Sequence, residues 1–309
     1  MKLIAPDYYS SFACLMGACR HSCCIGWEID IDEDSLQRYR SLSGALGERV
    51  CRRIETDGEF ACFRMDEKNR CPFLNADGLC DMILELGEDW LCQICADHPR
   101  FRNFFADRTE IGLGMCCEAA AALILSHEEP VHLLVIGEDD EPEASDADEA
   151  DLLALRKELI DLMQNRSLSL SERLSGLIEF CRFDPSRIPG TQWADFFLSL
   201  ERMDEAWTAL LQALPFSVQT LPGPQWDIPF EQLMVYLLYR HLPAAMEDGN
   251  AEGRVALCVL LWHLIHMLFS VSDTQTMTEL IELCRLCSCE IEYSAENIDA
   301  VIAAAEDTP

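Results

Sequence analysis

The feature that most constrains this chain is its cysteine content. Seventeen cysteines occur in 309 residues, and most of them lie near the N-terminus. Twelve fall within the first 117 residues, namely Cys14, Cys19, Cys23, Cys24, Cys51, Cys62, Cys71, Cys80, Cys92, Cys95, Cys116 and Cys117. The opening stretch MKLIAPDYYSSFACLMG has no apolar run of signal-peptide length, so we expect a cytoplasmic protein whose thiols stay reduced. Metal or cluster ligation is then the leading explanation for so many thiols.

The spacing of these cysteines defines two clusters. The first, in ACLMGACRHSCCIGW, reads Cys-x4-Cys-x3-Cys-Cys, and the second lies in CPFLNADGLCDMILELGEDWLCQIC. Two thiol clusters about 50 residues apart repeat the two-part arrangement by which a fold closes around a metal. A region as rich in loops as 58–92 needs such a staple, because bound metal contributes folding energy directly.

Zinc and iron–sulfur remain open as occupants, with free thiols as a third reading. Structural zinc usually takes two regular Cys-x2–4-Cys pairs, whereas a [4Fe–4S] cluster tolerates irregular spacing. The adjacent pair Cys23 and Cys24 is awkward for one tetrahedral ion, because neighbouring side chains diverge. Position 26 is Gly26, so the radical-SAM signature Cys-x3-Cys-x2-Cys is absent, and the spacing by itself indicates no reaction.

An acidic stretch separates two regions of different composition. EDDEPEASDADEAD at 138–151 contains nine acids and no base, which favours an extended linker over a packed segment. We therefore predict a Cys-rich, loop-rich metal domain at 1–137, a linker at 138–151 and an α-helical domain at 152–309, giving a mainly α protein. The alternative is a solvated loop within one domain.

Apolar periodicity predicts helices throughout the C-terminal half. Apolar residues in TQWADFFLSLERMDEAWTALLQAL recur at three- and four-residue steps, which predicts one helix over 191–214. Further helices are predicted near 152–165, 171–182, 229–242, 254–271, 274–287 and 294–305. The apolar run at 255–271 is shorter than the ~20 residues of a membrane span and carries His263 and His266, so we expect a buried core helix.

The net charge of −32 restricts the partners of the chain. Phosphate backbones are bound by lysine and arginine, so nucleic acid is excluded as a partner class. A cationic partner fits this charge, as does simple solubility. A membrane is not expected as a partner.

Four segments carry a resemblance to a known family. CRHSCCIGWEIDID, CPFLNADGLC, LCQICADHPRF and MCCEAAAALIL stand in the order found in flagellin lysine-N-methylases, which are related to zinc- or iron-chelating Cys-rich domain proteins. The likeness covers roughly residues 1–127. It implies an enzyme that uses S-adenosylmethionine and a [4Fe–4S] cluster to N-methylate lysines of flagellin.

The resemblance also implies roles for individual residues. It points to a metal-binding set of Cys14, Cys19, Cys23, Cys24, Cys71, Cys80, Cys92 and Cys95. Cys116 matches a Cys-x-Glu-Ala element, whereas Cys117 departs from the family pattern. His98 is a candidate catalytic base; the alternative is that it packs beside the metal site and supports the ligands. Arg100 and Arg102 are candidates for binding the cofactor carboxylate; the alternative is that they form local salt bridges. The competing hypothesis is a non-enzymatic, zinc-stapled module that binds a cationic protein.

Overall fold

The computed structural model describes residues 1–58, 60–138, 147–217 and 222–307. α-Helices predominate in these residues, which confirms the mainly α class. The helices are α1 Glu33–Ser41, α2 Gly44–Cys51, α3 Asp81–Leu86, α4 Gln93–Asp97, α5 Glu118–Leu125, α6 Ala147–Met163, α7 Leu170–Cys181, α8 Gly190–Ser199, α9 Glu205–Gln212, α10 Asp227–His241, α11 Ala245–Asp248, α12 Ala251–Ser270, α13 Met277–Cys287 and α14 Ala295–Glu306. The strands are β1 Lys2–Pro6, β2 Ile54–Asp57, β3 Phe60–Phe63, β4 Arg100–Phe104, β5 Arg108–Leu113 and β6 Leu133–Glu138.

The chain divides into two compact units. One comprises Ala13–Arg100, and the other joins Met1–Phe12 to Phe101–Pro309. The N-terminal strand belongs to the second unit because β1 pairs in parallel with β5, for example Leu3 with Thr109. Backbone pairing over a hundred residues of sequence thus places the unit boundaries at 12/13 and 100/101, whereas composition placed them around 138–151.

The acidic stretch at 138–151 is only partly within the described residues. Positions 139–146 lie outside them, so an extended linker there stays a prediction. Residues 147–151 form the first part of α6, so the chain is helical there rather than extended. Glu149 of this segment is buried, and its carboxylate accepts the Ala106 amide at 2.8 Å, which ties the start of α6 to the sheet.

The larger unit is a helical bundle built around α12. This helix is apolar on all sides, and it packs against α7, α10, α13 and α14. By length and composition α12 also meets the requirement for a membrane span, but 83% of its most apolar window is buried inside the protein. Asn250 caps its first turn by accepting the Gly253 amide at 2.9 Å.

The helix predicted over 191–214 is in fact two helices, α8 and α9. The carboxylate of Glu290, a buried residue, accepts the amides of Met203 at 2.9 Å and Asp204 at 2.7 Å in the connection between them. Asp204 then caps α9 by accepting the Ala206 amide at 2.8 Å. A distant carboxylate therefore stabilises a break that the local apolar pattern does not indicate. The other six predicted helices correspond to α6, α7, α10, α12, α13 and α14 within a few residues.

The smaller unit has a thin apolar core beneath short elements. β2 and β3 form an antiparallel hairpin, and the Phe63 ring packs edge-on against Phe73 with ring centroids 5.0 Å apart. Ile29 and Ile31 are buried, and the Ile31 amide bonds the Ala61 carbonyl at 2.7 Å. The alternating segment at 27–31 therefore pairs with the hairpin. Helix α1 follows this segment and is capped by Asp32.

Candidate metal centre

The first two thiols of the centre are aligned by backbone pairing. The Cys71 amide donates to the Cys24 carbonyl at 2.8 Å, and the Gly26 amide donates to the Asn69 carbonyl at 2.8 Å. Ile25 and Arg70 form an antiparallel bridge between these bonds. This short ladder joins the CCIG and NRC segments, and so it brings one thiol of each sequence cluster into the same place.

A tight turn then returns the chain from Cys71 to Cys80. The Asn75 side chain accepts the amides of Asp77 and Leu79, both at 3.0 Å, and the Asn75 amide bonds the Leu79 carbonyl at 2.9 Å. Asparagine suits this position because its short side chain can close a turn on its own backbone. The turn folds CPFLNADGLC back on itself, and so Cys80 comes near enough to influence the pKa of Cys71.

Helix α1 positions the remaining two thiols, Cys92 and Cys95. Tyr39 donates its hydroxyl to the Trp90 carbonyl at 2.7 Å, and the Arg38 guanidinium donates to the Asp89 carbonyl at 2.6 Å. Asp32 accepts the Gln93 amide at 2.7 Å while its other carboxylate oxygen caps α1. Residues 89–93 are therefore held along one helix, and this holds Cys92, at the start of α4, and Cys95 one turn later.

The influence of these thiols on one another's pKa indicates which sulfurs are neighbours. Cys24 interacts with Cys71, Cys80 and Cys95, and it shares a hydrogen bond with Cys23. That hydrogen bond, with help from Ser22 and the Arg70 charge, outweighs burial and lowers the pKa of Cys24 to about 7. Cys24 is therefore the hub of the thiol group, and at neutral pH much of it is thiolate, the form that binds metals.

The other thiols carry pKa shifts from burial and from one another. Burial raises the pKa of Cys71 to about 12, and the sulfurs of Cys24 and Cys80 add to the shift. The hydrogen bond between Cys92 and Cys95 lowers the pKa of Cys92 and raises that of Cys95. Thiols packed this closely cannot all ionise without a cation among them.

Six of the eight predicted ligands thus influence at least one other thiol of the set electrostatically or by a hydrogen bond, namely Cys23, Cys24, Cys71, Cys80, Cys92 and Cys95. Cys14 is exposed, and its sulfur accepts the Met16 amide at 3.3 Å within its own loop. Cys19 is half-buried and ends the short turn at 16–18. This loop lies close to the 75–80 turn, because a Cβ on Gly17 would stand 2.7 Å from the Asp77 carbonyl oxygen.

The donor set agrees in type with a thiolate-bound metal. All seventeen cysteines are thiols rather than disulfides, and soft sulfur ligands select zinc or iron–sulfur. Around zinc, with bonds of about 2.3 Å, four sulfurs would lie roughly 3.8 Å from one another. Within the described residues, no group of three or more His, Cys, Asp or Glu side chains is arranged to hold a metal ion. The fit is therefore one of donor type and proximity, and the side chains do not form a coordination sphere.

His98 and Arg100 lie just beyond the thiol group. Burial lowers the pKa of His98 to about 4, so its imidazole is neutral at pH 7 and a weak base. The Arg100 guanidinium donates to the Ala96 carbonyl at 3.3 Å, which caps the end of α4. Neither position gives evidence for a catalytic proton transfer or a bound carboxylate.

Other residues singled out in the sequence lie in the larger unit. His266 stacks on Trp262 with ring centroids 4.9 Å apart, and burial lowers the pKa of both His263 and His266 to about 4. Cys116 is buried, and its sulfur lies 3.0 Å from the Tyr293 hydroxyl. Cys284, Cys287 and Cys289 are also buried there. These groups pack within a helical core.

Sequence reasoning missed the residues that hold the thiol-bearing loops. Asp32, Arg38, Tyr39 and Asn75 each bond backbone atoms next to a cysteine of the group. Residues that orient ligands commonly matter nearly as much as the ligands themselves. The available signal was the Asn-x-Asp-Gly turn chemistry of LNADGL and the polar face of α1 opposite its apolar residues.

Comparison with known proteins finds distant relatives over part of the chain. A Lysine-N-methylase of Salmonella typhimurium and one of Salmonella choleraesuis are each 22% identical over 134 residues, which is 41% of this chain and 33% of the relative. The flagellar biosynthetic protein FliU of Salmonella muenchen is 23% identical over 141 residues, covering 41% of this chain and 79% of its own length. No family model matches the chain, and no solved structure matches it. The chain therefore spans about a third of the lysine methylases it matches, and its distant partial relatives include proteins named for lysine methylation and for flagellar biosynthesis.

Proposed function

We propose that this chain is a protein-lysine N-methyltransferase that uses S-adenosylmethionine to methylate flagellin and carries an iron–sulfur cluster in residues 13–100. The observation that carries the proposal is the convergence of six thiols from three segments, in a chain whose relatives are named lysine methylases. The name of a third relative supports a flagellar protein as substrate.

The five thiols coupled to one another or to the hub are the proposed cluster ligands. They are Cys24, Cys71, Cys80, Cys92 and Cys95. One cluster takes four thiolates, so one of the five is a spare ligand or a structural thiol. Cys24 is the central ligand of this proposal, because it interacts with three of the other four and its pKa is lowered to about 7.

The reaction sets requirements that this chain meets in part. Methyl transfer needs a neutral amine aligned with the sulfonium methyl group, and it releases a proton. A net charge of −32 attracts lysine-rich segments, but it also favours the charged form of the amine. The reacting lysine must therefore enter a partly dehydrated place before it can lose its proton. When bound, an iron–sulfur cluster would supply a Lewis-acidic iron that could anchor the polar end of the cofactor.

The decisive experiment combines metal content with methyl transfer. The full chain is purified without oxygen, analysed for iron, sulfide and zinc, and incubated with S-adenosylmethionine and flagellin. Intact mass then counts added methyl groups on flagellin. We expect stoichiometric iron and sulfide, and methylated lysines that disappear when the cofactor is omitted. Zinc in place of iron, or metal-replete protein that leaves flagellin unmodified, would refute this proposal. Either result would favour the alternative, a non-enzymatic, zinc-stapled module that binds a cationic protein.

A matched pair of variants tests the ligand assignment. Cys24→Ala removes the hub of the thiol group, whereas Cys258→Ala removes a fully buried cysteine in the middle of α12. We expect the first to lose iron and transfer together, and the second to retain both. Equal iron content in the two proteins would refute the assignment of Cys24. Cys71→Ala, Cys80→Ala, Cys92→Ala and Cys95→Ala should lose iron to different degrees and so identify the spare thiol.

A further inference from the structure

The outer strand of the larger unit's sheet has an open edge. The strand order is β4, β5, β1, β6, and β6 pairs antiparallel with β1, placing Ile4 opposite Val135 and Ala5 opposite Leu134. Among the described residues, no strand pairs with the other edge of β6. The edge strand β6 thus has one hydrogen-bonded side and one side without a strand partner.

The register identifies the backbone groups that point outward. The Asp7 amide donates to the His132 carbonyl at 2.8 Å, so His132 faces β1. Hydrogen-bonding direction alternates along an antiparallel strand, so Leu134 also faces β1, while Leu133 and Val135 direct their N–H and C=O groups to the open edge. These two residues offer two donors and two acceptors to an additional strand.

The side chains of β6 are unusually exposed for an apolar strand. Leu133 is 42% exposed, Leu134 48%, Val135 53% and Ile136 43%. Neighbouring strand residues point to opposite faces, so apolar surface is open on both sides of the strand. Edges are commonly protected by charged side chains or proline, and LLVI has neither. Such an edge is suited to pairing with an added strand.

Charge around the strand indicates what kind of segment fits. Glu128, Glu129 and Glu138 are exposed, and positions 128–138 contain no lysine or arginine, although Lys2 of β1 lies opposite Glu138. A second copy pairing antiparallel would bring these acidic flanks together, which is unfavourable. The complementary ligand is an extended segment with an apolar, β-branched centre and basic flanks.

We propose that the open edge of β6 binds an extended, lysine-flanked segment of a partner protein as a fifth strand. Resting on the function proposed above, the partner is the flagellin substrate, and the edge is the site that selects lysine-bearing segments. The backbone bonds of Leu133 and Val135 supply affinity without sequence preference, and the acidic flanks select for positive charge.

The test uses the full chain and a defined peptide without cofactor. The probe is an eleven-residue peptide of alternating valine and threonine with two lysines at each end, labelled for fluorescence anisotropy. Val135→Pro removes one outward donor, and an edge strand tolerates proline where the N–H faces outward. Val135→Thr keeps the donor and serves as the matched control. We expect Val135→Pro to weaken binding about 10-fold and Val135→Thr less than about 3-fold.

Two changes to the peptide make the result independent of how well the variant folds. N-methylation of alternate peptide amides should abolish binding to the unmodified chain, and replacing the terminal lysines by glutamates should weaken binding at least about 10-fold at low salt. Retained binding in either case would refute the proposal. A chain that sediments as a dimer and becomes monomeric with Val135→Pro would also overturn it, by making a second copy the occupant. A chain that binds the peptide as expected but leaves flagellin unmethylated would instead refute the methylase and leave the edge site standing.

Discussion

Tyr39→Phe removes one buried hydroxyl from the support of the thiol group, and this hydroxyl also shares a hydrogen bond with the Cys92 thiol. Tyr39 is fully buried, its ring lies 5.8 Å from that of Phe63, and its hydroxyl donates to the Trp90 carbonyl at 2.7 Å. Phenylalanine keeps the ring packing, but it leaves the Trp90 carbonyl and the Cys92 thiol without this hydroxyl. An unsatisfied buried acceptor costs about 1–3 kcal/mol. We therefore expect a loss of about 1–2 kcal/mol in the stability of residues 89–96.

The effect should be local because other bonds hold the same segment. Arg38 and Asp32 still hold the backbone at Asp89 and Gln93. The substitution should therefore favour local opening rather than global unfolding. Amide hydrogen exchange at 91–96 should accelerate about 5- to 30-fold, since each 1.4 kcal/mol is a factor of 10. The same opening should make iron easier to remove with a mild chelator.

Tyr239→Phe is the matched control for this prediction. The Tyr239 hydroxyl donates to the Ile111 carbonyl at 3.2 Å, and the residue is 2% exposed in the larger unit. This variant should lose a similar amount of stability with no change in exchange at 91–96 or in iron retention. If Tyr39→Phe leaves exchange at 91–96 unaltered, or if both variants release iron equally, the support role assigned to α1 is refuted.

Three further predictions concern charge and metal. The buried Arg156 guanidinium donates two hydrogen bonds of 2.7 Å to the Glu110 carboxylate, and Glu110→Gln removes this charge partner. The substitution should lower the free energy of unfolding, measured with urea, by about 3–5 kcal/mol, whereas the double variant Glu110→Leu with Arg156→Met should lose less. Burial would raise the pKa of Glu292, but the Arg240 charge outweighs burial and holds this pKa at about 2, below the usual 4.5. The ionised carboxylate should therefore contribute about 3 kcal/mol to the free energy of unfolding above pH 4.5, and this contribution should be lost as the pH falls to 2. The difference in stability between the unmodified chain and Glu292→Gln should close over the same pH range. Iron chelation should open residues 13–100 to protease while fragments from the larger unit persist; equal digestion of both units would contradict this.

The sequence predicted the elements whose signals are local. The apolar run at 255–271 predicted the buried helix α12. The break between α8 and α9 could not be predicted, because it depends on Glu290, far along the chain. The pairing of β1 with β5 could not be predicted either, because nothing in KLIAP specifies a partner strand about a hundred residues away.

The grouping of the thiols could be predicted from the sequence only in part, for the same reason. Spacing indicated two clusters of cysteines, and the structure brings members of both together through the bond from Cys71 to Cys24. Which cysteines approach one another depends on the Asn75 turn and on the contacts of α1 with residues 89–93. Those contacts join segments about 50 residues apart, so spacing alone could not show which thiols of the two clusters approach one another.

The apolar cores of the two units give independent support to a bound metal. In residues 13–100 the core consists of eleven buried apolar side chains, two of which are Cys71 and Cys92 themselves. The larger unit buries several times as many around α12. A core this thin contributes little folding free energy, and a bound metal is one further source of stability for such a unit. The cysteines are thiols here; burial raises the pKa of Cys71, and the hydrogen bond with Cys92 raises that of Cys95. A cation among these sulfurs would favour their thiolate forms and contribute folding free energy to this unit. The folding of residues 13–100 would then depend on the same centre that the proposed methyl transfer requires.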